Sequence, residues 1–81
     1  MLTKRQEKYW LVLFSLLGQS SASYEERRPL YIASDEIDSG KNFGNTMRKL
    51  IDDLEKIQQS QGGKLTPKVK ELLDNAKNDY G

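Results

Sequence analysis

Apolar residues recur along the chain at spacings of three and four, in four separate segments. The third segment is the most regular. Phe43, Met47, Leu50, Ile51, Leu54 and Ile57 fall at offsets of 4, 7, 8, 11 and 14, which is one face of a helix over about 43–58. Asn42 is its candidate N-cap, and Ser60-Gln61-Gly62-Gly63 breaks the pattern. Thr66-Pro67 then marks a new start, with Thr as N-cap and Pro at the first helical position. Val69, Leu72, Leu73, Ala76 and Tyr80 continue at offsets of 3, 4, 7 and 11, a helix over 67–79.

The first half is less regular. Thr3-Lys4-Arg5-Gln6 fits a capping box and opens a helix over 4–17. Trp10, Leu13, Phe14 and Leu17 form its predicted buried stripe, widened by Tyr9, Val12 and Leu16, and Gly18 is a plausible stop. Residues 18–28 read as a polar connection. Pro29 is comfortable in a first helical turn and disruptive deeper inside, so the second helix is expected over 28–38, with an earlier turn allowed at Tyr24–Arg27. Leu30, Ala33 and Ile37 share its inner face, Tyr31 and Ile32 flank it, and Asp35, Glu36 and Asp38 face solvent.

No window alternates with period two, and Val occurs only at Val12 and Val69. The expected fold is all-α: one domain over 1–81, a compact antiparallel four-helix bundle.

Composition changes what such a bundle can do. The chain has 81 residues, no Cys and no His. Disulfide staples, Cys/His zinc sites and His-dependent nucleophilic centres are therefore excluded, and no cofactor or metal is expected. So short a chain leaves little room for an enclosed pocket, and the expectation is a binding protein, not an enzyme. The net charge of +1 divides into +2 over 1–29, −2 over 30–63 and +1 over 64–81. No segment is a polycation, and a nucleic-acid partner is not expected. Lys4, Arg5 and Lys8 ahead of the apolar run Tyr9–Leu17 could open a signal peptide, but Glu7 and two aromatics speak against it. That run is also far shorter than the roughly 20 residues of a membrane-spanning helix. The expected location is cytoplasmic.

The polar clusters read as solvated. Glu25-Glu26, Asp35-Glu36 and Asp52-Asp53 are helix neighbours whose side chains diverge, unlike paired catalytic carboxylates. Asp35 to Asn42 lacks the ligand spacing of a calcium loop, and Gly40-Lys41 lacks the rest of a phosphate loop. Glu25-Glu26-Arg27-Arg28 reads as a mixed-charge connection whose Arg pair could contact a partner or an anionic membrane surface with only a weak field, and Tyr80 as a ring packed on the bundle with a wet hydroxyl.

Two resemblances bear on function. Thr46 to Lys56 resembles the recognition-helix region of MarR-like regulators, and Leu65 to Leu73 the segment after their wing, which gives the alternative of a small winged-helix or helix-turn-helix DNA binder of phage or plasmid type. Ile57 to Gly63 is too short for that wing, and Asp52, Asp53 and Glu55 would oppose phosphates. Ser39-Gly40-Lys41-Asn42-Phe43, the long amphipathic helix behind it, and Lys64-Leu65-Thr66-Pro67-Lys68-Val69-Lys70-Glu71-Leu72-Leu73 look like the pediocin-like (class IIa) bacteriocin immunity proteins, over about Leu30 to Gly81.

The second resemblance implies a non-catalytic antiparallel four-helix bundle that protects a producing cell from its own pore-forming peptide. It implies action at the inner membrane face, on the bacteriocin-bound mannose phosphotransferase permease, with room for peripheral membrane contact. It also implies that specificity lies in the C-terminal half. Arg48, Lys56, Lys68, Lys70, Lys77 and Tyr80 are accordingly the expected partner surface, on a monomer or weak dimer.

Overall fold

A computed structural model describes residues 2–18 and 22–81. Four helices follow one another: α1 (Lys4–Gly18), α2 (Tyr24–Asp38), α3 (Phe43–Ser60) and α4 (Pro67–Tyr80), with no strand among the described residues. The protein is an all-α four-helix bundle. Its radius of gyration of 11.6 Å matches the roughly 12 Å expected of a compact chain this long.

Contacts between helix ends give the directions. Trp10 of α1 meets Asp38 at the end of α2, while Tyr9 meets Phe43 at the start of α3 and Asp79 and Tyr80 at the end of α4. The starts of α2 and α4 meet at the opposite end. Helices α2 and α4 therefore run one way, and α1 and α3 the other. The α2–α3 and α3–α4 turns place Gly40, Gly62 and Gly63 at positive φ, where side chains with a Cβ are strained.

The core draws on all four helices. Leu13, Leu30, Met47, Leu54 and Val69 are fully buried, and Leu50, Leu72, Leu73 and Ala76 nearly so. On α3 the buried positions are Phe43, Thr46, Met47, Leu50, Ile51 and Leu54, with Ile57 half-buried at the edge. The capping box of α1 forms in both directions: the Thr3 N–H donates to Gln6 Oε1 (3.0 Å) and the Gln6 N–H to Thr3 Oγ1 (3.2 Å). Asn42 caps α3 by accepting from the Asn45 N–H at 3.0 Å.

Three features differ from the sequence expectation. First, α2 begins at Tyr24, not Arg28, and Pro29 lies inside it. A second capping box explains this. The Glu26 N–H donates to Ser23 Oγ, and the Ser23 N–H donates to Glu26 Oε1. These bonds start the helix before Pro29 and hold it where the proline removes one ladder bond. The expected 18–28 connection is thus largely helix; Gln19, Ser20 and Ser21 lie outside the described residues.

Second, Glu26 is buried at 0% exposure, not solvated. Its carboxylate also accepts from Thr66 at the start of α4, through the backbone N–H (2.8 Å to Oε2) and the hydroxyl (2.6 Å to Oε1). Thr66 occupies the N-cap of α4, but its hydroxyl reaches across to Glu26 and makes no cap bond of its own. Burial pushes the Glu26 pKa up; the hydrogen bonds from Thr66 and Ser23 outweigh it and hold the group below the ordinary value.

Third, α1 buries Tyr9, Leu13 and Leu16, while Trp10, Val12 and Leu17 are half-buried and Phe14 is 63% exposed. The inner stripe is rotated from the one the sequence suggests. Neighbours on both flanks cover one side of this apolar helix, and Phe14 lies beyond their reach, stacked on Trp10 at 5.6 Å.

Two stability predictions follow from these contacts. Glu26→Gln leaves at least one buried donor unmatched and lowers the unfolding free energy by about 1–3 kcal/mol, read by urea denaturation. Because the folded pKa lies below the unfolded one, this difference is complete above the ordinary value of 4.5 and shrinks as pH falls below it. An unchanged difference through acid titration contradicts the assignment. In α1, Leu13→Ala costs about 2–5 kcal/mol and Phe14→Ala about 1 kcal/mol or less; equal costs would mean that the stripe is placed wrongly.

Candidate functional site

The described residues hold no cluster of His, Cys, Asp and Glu able to bind a metal ion, and no helix is long and apolar enough to cross a membrane. What the bundle offers is surface. Two long open grooves run along its seams, between α2 and α3 and between α1 and α4.

The α1–α4 seam is the least closed of the four between neighbouring helices. Its groove, about 830 Å³, has Val12, Leu16 and Leu72 in its walls and the cations Lys4, Arg5, Lys8 and Lys68 along it, together with Glu71 and Asp79. One end is closed by an aromatic triangle of Tyr9, Phe43 and Tyr80, with centroids 5.7–6.4 Å apart. The Tyr9 hydroxyl donates to Asp79 Oδ2 at 2.5 Å. Burial, then this bond, then the Asp79 charge push the Tyr9 phenol well above its ordinary value. Burial and the same charge raise Tyr80.

The α2–α3 groove, about 820 Å³, is lined by Tyr24, Tyr31, Ile32, Pro29 and Ile57, with Arg27, Arg28 and Lys56 among its cations and Glu25 and Asp53 opposing them. Tyr24 is 91% exposed and Tyr31 58%. They stand seven residues apart on one face of α2, about 10.5 Å along the axis. Arg27 Nε is enclosed and has no hydrogen-bond partner. The other such side-chain atom among the described residues, Thr46 Oγ1, belongs to the inner face of α3.

The six residues expected to form the partner surface are distributed around the bundle. Lys56 lines the α2–α3 groove and pairs with Asp52 at 3.0 Å, a bond that raises its pKa. Lys68 lines the α1–α4 groove. Lys77 of α4 pairs with Glu55 of α3 at 3.4 Å, and Arg48 donates to Asn45 within its own helix at 3.2 Å. Lys70 is exposed, and Tyr80 packs in the aromatic triangle. No single face collects them. From the sequence, Arg27 and Arg28 read as a weak partner or membrane contact within a connection, and Tyr24 and Tyr31 carry no site role. The signal that relocates them is Ser23-x-x-Glu26, which extends α2 backwards and puts Tyr24, Arg27, Arg28 and Tyr31 on one helix.

The fold and its surface thus define a helical bundle whose open features include two apolar grooves edged with charge. The chain matches no protein-family model, no curated protein and no solved structure.

The Tyr9–Asp79 lock predicts alkaline sensitivity. A phenol raised on folding contributes stability below its unfolded value of 10.0 and loses it as pH climbs toward the folded value. Tyr9→Phe should lose less stability between pH 9 and pH 11 (about one unit on each side of that value) than the parent does. Parallel losses would remove the lock as a determinant.

Proposed function

We propose that this is a non-catalytic binding protein, acting as a bacteriocin immunity protein of the pediocin-like kind. The observation that carries the reading is the aromatic surface left outside a filled core. Phe14, Tyr24 and Tyr31 are 63%, 91% and 58% exposed while all four helices already share a continuous interior. Large exposed aromatics beside arginines are the residues from which protein interfaces draw most of their energy. An all-α bundle of four helices is also the architecture that the resemblance over Leu30 to Gly81 implies. On this reading the protein works in the cytoplasm, at the inner membrane face, on a permease holding the bacteriocin.

The charge arrangement on α3 favours the binding-protein reading over the DNA-binding alternative. The outer face of that helix carries the Lys56–Asp52 pair, and Lys49 and Glu55 are bridged to Glu36 and Lys77. The segment joining α3 to α4 is a turn through Gly62 and Gly63 without strands. A DNA binder would show affinity that falls steeply with salt.

The deciding experiment is expression inside a sensitive bacterium challenged with a panel of pediocin-like peptides. Survival at doses that kill control cells is the expected result for at least one peptide. Equal killing across the panel overturns the immunity reading.

A further inference from the structure

We propose that the α2–α3 groove is a docking site for an amphipathic helix of a partner protein, one carrying carboxylates along its flank. The inference does not depend on the immunity reading, since the groove takes up such a helix or fails to whatever the protection assay shows.

Three observations converge on this occupant. The groove lies open between two antiparallel helices, with Pro29, Ile32 and Ile57 in its walls. A third helix laid along it meets Tyr24 and Tyr31 about two of its own turns apart, the spacing of i and i+7 anchors. Tyrosine is suited to such a rim, with a rigid apolar ring and a hydroxyl that stays paired at an interface.

The charges choose the partner's sign. Arg27 and Arg28 both line the groove, and neither forms an ion pair among the described residues. Lys49 and Lys56, on the neighbouring helix, are already bridged to Glu36 and Asp52. Glu25 and Asp53 share the groove and oppose an incoming carboxylate, so the approach must be made at the arginines. The chemistry of the two arginines narrows this further: a planar guanidinium on a groove wall is matched best by a carboxylate, which it can grip with two parallel hydrogen bonds.

The test uses the full chain and a synthetic amphipathic peptide of about four turns, long enough to be partly helical. It carries leucines on one face and glutamates along one flank; a twin peptide has Lys for each Glu. Binding is followed by nuclear magnetic resonance, reading the Arg27 Nε–H and the amides of α2 and α3. The acidic peptide should shift the Arg27 Nε–H together with Tyr24, Tyr31 and Ile57, and the basic twin should not. Arg28→Gln and Tyr31→Ala, both at exposed positions that leave folding intact, should each weaken binding about tenfold. Arg27→Lys keeps the charge but loses the fork, and should weaken it comparably.

Four outcomes overturn the proposal. They are equal binding of the two peptides, shifts confined to the α1–α4 groove, absence of shifts at millimolar peptide (about the weakest affinity worth calling docking), and variants that bind like the parent. Two further measurements address other occupants. Sedimentation that shows self-association abolished by Tyr31→Ala assigns the groove to a second copy. Flotation with phosphatidylglycerol vesicles that depends on Arg27 and Arg28, without peptide binding, assigns it to a membrane surface. Either result replaces the acidic helix.

Discussion

One buried carboxylate connects the two halves of this bundle. Glu26 closes the capping box of α2 through Oε1 and receives the Thr66 hydroxyl on that same oxygen and the Thr66 backbone N–H on Oε2, forty residues later. A charged group in an interior is costly unless its partners are complete. Here three donors converge on it within 2.6–2.8 Å, and the group stays ionised with a pKa below its usual value. The starts of α2 and α4 are thereby held in one geometry. In a chain without cysteine, such a specific long-range contact complements apolar packing, which by itself sets volume more firmly than register.

The opposite end is held by different chemistry. Tyr9, Phe43 and Tyr80 bring α1, α3 and α4 together through their rings, and Asp79 fixes the Tyr9 hydroxyl. Trp10 adds a bond to Asp38 at 2.9 Å and so ties α1 to α2. Between these polar anchors the seams are closed by apolar contact, with the exposed Lys49–Glu36 and Lys77–Glu55 pairs across two of them. The α1–α4 and α2–α3 seams stay open enough on their outer sides to leave grooves.

Much of the fold could be read from spacing alone. The stripe from Phe43 to Leu54 and that from Val69 to Ala76 are the buried faces of α3 and α4, since each helix has one strongly apolar side. Reading failed where local rules competed. Pro29 argues for a helix start, but the Ser23-Glu26 box supplies an earlier one, and tertiary bonds to Thr66 stabilise it. In α1, so many positions are apolar that periodicity cannot say which side turns inward; the neighbouring helices decide in favour of Tyr9, Leu13 and Leu16. The surface was less legible still. Residue type and chain half point to cations such as Lys56 and Lys77, but their availability depends on the acids that the bundle sets beside them. The enclosure of Arg27 Nε is a property of the packed bundle and leaves no mark in the sequence.

Pro29 has a consequence for motion. It deprives the Glu25 carbonyl of its helical donor, so the turn from Tyr24 to Arg28 is joined to the rest of α2 by one ladder bond fewer than usual. That turn is held instead by Ser23, Glu26 and Thr66. It should therefore open as a unit with the chain leading into α4, rather than fray independently like an ordinary helix end. The rim bearing Tyr24, Arg27 and Arg28 is thus tied to the residue that precedes a different helix, and any opening of it breaks a contact made forty residues along the sequence.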